Sequence, residues 1–128
     1  MTEAIHHEVT FQTTPERLYE ILMDSGEHGA FTGSPAEISK DVGGSFQAHG
    51  GRIEGRNIEL VPGKRIVQAW RPANWPAGQY SLVRFELEPA AQGTKVTLTH
   101  DATPEEQRPH FDAGWTRMYW EPLAKYLA

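Results

Sequence analysis

The sequence contains no cysteine. This absence excludes disulfide scaffolds, cysteine nucleophiles, iron–sulfur clusters and zinc sites with thiolate ligands, and it fits a reducing compartment. Long apolar runs are also missing, since no stretch of apolar or aromatic residues exceeds three. Neither a membrane-spanning helix nor the apolar segment of a signal peptide has room to form. We therefore expect a soluble, cytoplasmic protein without a membrane span.

Positive charge is scarce and dispersed. Twelve lysine and arginine residues stand against 17 aspartate and glutamate residues, which gives a net charge of −5. Lys64 and Arg65 form the single adjacent basic pair. A protein that binds phosphate backbones needs a basic stripe to displace counterions. We expect no nucleic-acid partner.

Aromatic and apolar residues are, by contrast, plentiful enough for a core. The 128 residues are 38% hydrophobic and 10% aromatic, with 23% charged, whereas disordered chains are poor in aromatic residues and rich in charge. This length suits one domain that buries roughly two-thirds of its unfolded surface without metal or disulfide. The sequence predicts a single folded domain over residues 1–128.

The beginning of the chain predicts a strand followed by short helices. Apolar and polar residues alternate from Ile5 to Thr13, which is the pattern of a half-buried strand. Thr14 and Pro15 then supply an N-cap and a first helical position for an amphipathic helix that ends at Met23. The glycines between residues 25 and 35 allow at most one further helical turn.

Turn-forming glycines and prolines divide the middle of the chain into short segments with strand character. Because the connections are too short for parallel crossovers, these strands are expected to pair antiparallel. Together with the opening strand they predict a sheet of about seven strands. The segments are Ala36 to Ser39, Ser45 to His49, Arg52 to Leu60, Arg65 to Arg71, Tyr80 to Glu88 and Thr94 to Asp101.

The C-terminal block predicts a long helix with an aromatic face. Thr103 and Glu106 have the spacing of a capping box, with Pro104 at the first helical position. Pro109 is expected to separate a first turn from the main helix, and Pro122 to kink it because it removes a backbone donor. Large apolar residues recur at helical spacing: Phe111, Trp115, Met118, Tyr119, Leu123, Tyr126 and Leu127.

A series of local motifs runs through the whole chain. It comprises Gly43-Gly44-Ser45-Phe46, Gly55, Glu59-Leu60-Val61-Pro62-Gly63-Lys64-Arg65-Ile66-Val67 leading into Trp70-Arg71, Trp75-Pro76, Gly93-Thr94, Leu98-Thr99-His100, and Gly114-Trp115 followed by Tyr119. In these motifs the sequence resembles the family named for the activator of heat-shock protein 90 (Hsp90) ATPase, specifically its C-terminal domain, within the START-like superfamily. The resemblance implies the helix-grip fold, an α+β architecture. In it, a curved antiparallel sheet of about seven strands wraps around a long C-terminal helix, with short helices after the first strand.

The resemblance also implies a class of partner. In the eukaryotic activators this domain follows a separate N-terminal domain, on which stimulation of the chaperone ATPase depends. The present sequence begins directly at its first strand. We therefore expect a stand-alone domain whose chaperone role is limited to docking on an Hsp90-type protein. One fold hosts many functions, so this is one hypothesis among three.

A sheet wrapped around one helix leaves a gap that large side chains either fill or line as a pocket. The first hypothesis is a non-enzymatic protein that holds a small apolar molecule in this gap, with aromatic walls and histidines as polar anchors. The alternative is that the same residues form an ordinary core. The candidate cavity residues are His7, Phe31, Trp70, His100, Phe111, Trp115 and Tyr119.

Trp75 is a different kind of candidate because it lies among Pro72, Asn74 and Pro76. Prolines hold a loop aromatic in place, and exposed loop aromatics are good interface anchors. If it is exposed, Trp75 is therefore the candidate protein-docking contact.

No motif predicts a particular enzyme chemistry. Adjacent His6 and His7 point to opposite faces of a strand, and His28, His49 and His110 are predicted at the surface, so we expect no metal site. The sequence also lacks a nucleophile elbow and a phosphate-binding loop, and we expect no cofactor. The third hypothesis is a small cavity enzyme, such as a cyclase or hydrolase, that depends on His7 or His100.

Overall fold

Seven strands form one antiparallel sheet in the computed structural model, which describes residues 3–128. The strands are β1 (Ile5–Phe11), β2 (Glu37–Ile38), β3 (Ser45–Ala48), β4 (Ile53–Val61), β5 (Arg65–Pro72), β6 (Ser81–Ala90) and β7 (Gly93–Asp101). Their spatial order is β1-β7-β6-β5-β4-β3-β2, so the first strand pairs with the last. The predicted seven-stranded sheet and the helix-grip fold are confirmed.

Helical segments precede and follow the main strands. They are α1 (Pro15–Met23), α2 (Ser25–Thr32), the 3₁₀ turns His49–Gly51 and Glu105–Gln107, α3 (Arg108–Trp115), a π-helical turn (Thr116–Trp120) and α4 (Glu121–Leu127). The last three run on from one another as the C-terminal helix, residues 108–127. Among the described helices, none is both long enough and apolar enough to cross a membrane.

Period-two alternation decides which side chains of the sheet face the helices. In β6, Val83 and Phe85 are buried, while Leu82 and Arg84 face solvent. Strand β7 follows the same rule and places His100 on the buried face. Successive side chains of a strand point to opposite faces, so one face of the sheet becomes an apolar surface on which the C-terminal helix packs.

Capping residues determine where the first two helices begin and end. Thr14 caps α1 as predicted, with its Oγ1 accepting from the Arg17 amide at 3.1 Å. Asp24 caps α2 by accepting from the Glu27 amide at 2.9 Å, and Gly33, with φ of 78°, ends it. Helix α2 is eight residues long. The expectation of at most one helical turn is wrong, because these two termini outweigh the low helix propensity of the glycines between them.

The C-terminal helix is irregular where proline removes a backbone donor. Pro109 lies in the first turn of α3, and a separate 3₁₀ turn precedes it, as predicted. Just before Pro122 the helix widens into the π-helical turn, in which the Glu121 amide donates to the Thr116 carbonyl. The irregularity predicted near Pro122 takes the form of this π turn.

The capping box predicted for Thr103 and Glu106 does not form. The Thr103 hydroxyl is buried without a hydrogen-bond partner, and Pro104 has extended backbone angles, φ −56° and ψ 137°. The chain then makes a 3₁₀ turn before the helix begins. Because a capping box needs the helix to start directly after the cap, this prediction is wrong.

Aromatic rings fill the centre of the gap between the sheet and the C-terminal helix. The ring centroid of Trp115 lies 5.9 Å from that of Trp120, 5.6 Å from Phe85 and 6.0 Å from Trp70. All four side chains are buried. Rings at these distances are in ordinary close-packed contact. The centre of the gap is therefore core, and any ligand site lies elsewhere.

Candidate ligand-binding site

An open cleft of about 850 Å³ lies beside the first half of the C-terminal helix. One wall comes from the start of β4, the end of β5 and the loop that follows β5, and the other from residues 107–119. A cleft of this size fits a small organic molecule. Its large apolar side chains are Trp70, Trp75, Phe111, Trp115, Met118 and Tyr119, and its polar ones are His49, Arg52, Asn74, Gln107, His110 and Arg117.

Of the predicted cavity residues, four line this cleft and three lie outside it. The three outside it are packed into other parts of the structure, which corrects their assignment to the cavity. Those in the cleft are Trp70, Phe111, Trp115 and Tyr119, and those outside it are His7, Phe31 and His100.

Trp75 is a wall of the cleft and not an exposed docking contact. It is 7% exposed, packs edge-on against Phe111 at a centroid distance of 6.0 Å, and donates from Nε1 to Gln107 Oε1 at 3.0 Å. The Arg71 guanidinium holds the loop in place by donating to three of its carbonyl groups. The exposure on which the docking prediction depended is not found, and that prediction is corrected.

His100 is 0% exposed and both of its ring nitrogens are hydrogen-bonded. Trp115 Nε1, which can only donate, donates to His100 Nδ1 at 3.0 Å, so a neutral His100 carries its proton on Nε2 and donates to Ser81 Oγ at 2.8 Å. The Ser81 hydroxyl donates to the Trp70 carbonyl at 2.7 Å. Burial lowers the pKa of His100 to about 3. Because the ring has no free lone pair to accept the serine proton, this pair is structural and not nucleophilic.

His7 repeats this arrangement on the neighbouring strand β1. Trp120 Nε1 donates to His7 Nδ1 at 2.8 Å, and His7 Nε2 donates to Asp112 Oδ1 at 2.5 Å. Two tryptophan–histidine pairs, with His7 on β1 and His100 on β7, thus fasten the C-terminal helix to the sheet. Since neither histidine lines the cleft, the cavity-enzyme hypothesis loses both of its candidate residues.

The Tyr119 hydroxyl lies between two histidines at the inner end of the cleft. It is 3.1 Å from His28 Nε2 and 3.3 Å from His49 Nε2. Because Tyr119 has one proton to donate, one histidine accepts it and the other donates its own Nε2 proton to the hydroxyl oxygen. The two neutral rings are therefore opposite tautomers, and the Nδ1 atoms of both are buried without a partner. Buried polar atoms without a partner are rare and call for an explanation.

Burial sets the charge state of this cluster. It lowers the pKa of His28 to about 4, and the nearby His49 acts in the same direction. Burial also lowers the pKa of His49, as does the charge of Arg52, and it raises the pKa of Tyr119. All three side chains are therefore neutral near pH 7. In residues 3–128, no three histidine, aspartate or glutamate side chains are grouped to hold a metal ion.

The predicted surface position of His28 is wrong and His49 is half-buried, whereas His6 and His110 are exposed as predicted. His28 is 4% exposed because α2 is longer than expected, and it shares the buried face of that helix with Phe31, three residues further on. That spacing marks the buried face once the termini of α2 are recognised. Nothing in the sequence marks His49, because it lies in a short turn whose burial depends on tertiary packing.

Comparison with known proteins identifies the family. A family model described as "Activator of Hsp90 ATPase homolog 1-like protein" matches residues 12–128. The chain belongs to this family. The match runs from the end of β1 to the last residue and confirms the resemblance found in the sequence motifs.

Members of the activator family from animals and a parasite are similar to this chain. Activator of 90 kDa heat shock protein ATPase homolog 2 from Mus musculus is 32% identical over 126 residues, which is 98% of this chain and 38% of that protein. Homolog 1 from Homo sapiens is 32% identical over 114 residues, 89% of this chain and 34% of that protein. The chain thus spans well under half the length of these curated relatives. A crystal structure of an HSP90 activator from Plasmodium falciparum superposes with a TM-score of 0.88 at 25% identity, covering 97% of this chain and 95% of that chain.

Two glycines of the activator-family motifs have different roles. Gly55 in β4 pairs with Phe46 on one neighbouring strand and Trp70 on the other, where a side chain would collide with the backbone of β5. Gly114 lines the cleft, and a Cβ placed on it has no neighbour within 4 Å. The first glycine therefore permits the close approach of β5 to β4, and the second faces open space in the cleft.

Proposed function

We propose that this protein binds a small molecule with a flat apolar body in the cleft. The observation that carries the proposal is the cleft itself, about 850 Å³ of open space walled by Trp70, Trp75 and Phe111. Aromatic side chains provide large, rigid apolar contact areas, and a few polar groups in such a site orient the ligand. The proposed role is non-enzymatic, because His7 and His100 are engaged in hydrogen bonds that hold the fold together.

Filling the cleft from Gly114 tests this proposal directly. A leucine there extends into the cleft without a collision at Cβ, and it replaces glycine inside a helix, which favours folding. We expect Gly114→Leu to weaken binding of the neutral aromatic probe N-phenyl-1-naphthylamine by at least about tenfold, because the leucine occupies the space the probe needs. The increase in probe fluorescence on titration with protein gives the dissociation constant.

Gly114→Ala is the matched control. It brings a similar gain in helix propensity but leaves most of the cleft open, so its affinity for the probe should stay within about twofold of the wild-type value. Near-UV circular dichroism establishes that both variants retain the packed fold. A folded Gly114→Leu protein that binds the probe as tightly as the wild type would exclude the cleft as the site.

Native mass spectrometry of the untagged protein then addresses the natural ligand. The native mass is compared with the denatured mass of the same preparation. A reproducible extra mass that is missing from Gly114→Leu and present in Gly114→Ala would assign the co-purified molecule to the cleft.

A second proposed function is docking on an Hsp90-type chaperone. It is supported by the HSP90 activator from Plasmodium falciparum, 95% of whose chain is covered by this fold, and by family membership. We expect a titration of the ¹⁵N-labelled protein with the full-length chaperone of its own host to broaden a contiguous set of surface amide signals. Unchanged spectra at about 1 mM chaperone would exclude docking even with a dissociation constant in the millimolar range.

A further inference from the structure

The cleft is a positively charged feature of a negatively charged chain. The net charge of the chain is −5, yet no aspartate or glutamate among residues 3–128 lines the cleft. The lining carries two arginines and two histidines. These residues are His49, Arg52, His110 and Arg117. The local field therefore favours an anion although the protein as a whole repels one.

Arg52 and Arg117 line the cleft from different elements, and the fold does not engage either guanidinium. Arg52 directly precedes β4, whereas Arg117 belongs to the π-helical turn. Within residues 3–128, neither side chain makes an ion pair or a hydrogen bond, while every other arginine there pairs with a carboxylate or a carbonyl. Those engaged arginines are Arg17, Arg56, Arg65, Arg71, Arg84 and Arg108.

His49 lies beside Arg52, and one of its two ring nitrogens has no hydrogen-bond partner. Its Nδ1 is buried without a partner, and its ring is close enough to Arg52 for that charge to lower the pKa of His49. When Tyr119 donates its proton to His49 Nε2, His49 carries its own proton on Nδ1 and offers a donor.

We infer that the cleft binds an amphipathic anion, with an apolar body against Trp70 and Phe111 and a carboxylate or sulfonate group held between Arg52 and Arg117. The inference rests on the proposed function and narrows it from apolar molecules in general to those with a negative charge. Contact with the aromatic walls supplies affinity. Charge-assisted hydrogen bonds from the guanidinium groups supply selectivity over a neutral analogue of the same shape.

A matched pair of probes isolates the contribution of the ligand's negative charge to binding. 1-Anilinonaphthalene-8-sulfonate and N-phenyl-1-naphthylamine share one ring system and differ by the sulfonate. We expect the wild-type protein to bind the sulfonate at least about tenfold more tightly than the neutral probe, and the preference to fall as salt is raised. In the double variant Arg52→Gln/Arg117→Gln we expect the preference to vanish while affinity for the neutral probe stays within about twofold.

Two control variants show whether the probe binds in the cleft. Arg84→Gln removes an arginine from the solvent-facing side of β6, away from the cleft, and should keep the preference. Gly114→Leu should weaken probe binding in the cleft, so any binding that this variant leaves unchanged takes place elsewhere on the surface.

The outcomes separate this inference from the proposed function. Equal affinity of the wild type for both probes, or a preference that survives in the folded double variant, would overturn the anion selectivity and leave the cleft as an apolar site. If neither probe shows binding that Gly114→Leu removes, the proposed function fails and the inference fails with it.

Discussion

Substituting alanine for Gly55 is expected to lower the free energy of unfolding by roughly 4 kcal/mol or more, a large part of the stability of an ordinary domain. Gly55 lies in the middle of β4, and an added Cβ would collide with the Ala69 carbonyl oxygen and lie 2.8 Å from Phe46 Cε1. The first of these neighbours is backbone in a central strand, so no change of rotamer relieves the contact. Urea unfolding followed by circular dichroism measures the effect.

Gly114→Ala again provides the comparison, because the same chemical change there meets open space. It should leave stability unchanged or raise it by up to about 1 kcal/mol, as expected for glycine to alanine within a helix. A Gly55→Ala protein with the wild-type unfolding midpoint would show that the sheet relaxes at β4. The close approach of β5 to β4 would then not be the reason for glycine at this position.

Strong local signals made most of the fold predictable. The alternation that begins at Ile5 fixes both the strand and the face it buries, and short turns leave antiparallel pairing as the simplest arrangement. The errors came from competition between local signals. The glycines of α2 suggested an early end, but Asp24 and Gly33 bracket a full helix. The spacing of Thr103 and Glu106 suggested a cap, but the chain forms a 3₁₀ turn there instead.

The candidate site was less predictable because it depends on distances between elements. Large aromatic residues are usually buried, so the sequence predicts that they lie between the sheet and the helix. Whether a ring fills the gap, as Trp120 does, or borders open space, as Phe111 does, depends on how far the helix stands from the sheet at that point. Trp75 is covered because Arg71 holds its loop and because Gln107 and Phe111 lie against it, and the sequence does not show the contacts with these two distant residues.

The charges of the cleft illustrate the same limit. Nothing in the sequence distinguishes Arg52 and Arg117 from the arginines that pair with carboxylates, because pairing is a property of the folded surface. His28 and His49 were likewise assigned to loops. Tertiary packing against Tyr119 buries the His28 ring and half-buries the His49 ring, and it leaves the Nδ1 atoms of both without a partner.

Acidification from pH 7 to pH 5 is expected to lower the free energy of unfolding by about 4 kcal/mol. Burial lowers the pKa of His28 to about 4 and that of His100 to about 3, against 6.5 for an ordinary histidine. Below pH 6.5 the unfolded chain therefore binds two protons that the folded chain does not. Stability is fully present above pH 6.5 and is lost as the pH falls from 6.5 towards these lower values. Urea unfolding at a series of pH values measures the slope.

Single variants show whether these two histidines are the cause. His28→Gln and His100→Gln should each reduce the slope between pH 6 and pH 5 by about 1.2 kcal/mol per pH unit, the equivalent of slightly less than one proton, whatever their effect on stability at pH 7. His6→Gln changes a ring that is exposed when folded, and the slope should stay the same. If a variant does not fold, ¹⁵N spectra of the wild-type histidine rings decide the point. At pH 5 the His28 and His100 rings should still be neutral in the folded protein, because burial makes a charged ring in the core unfavourable. Protonated rings at that pH in the intact fold would show that the interior solvates these histidines better than their burial indicates.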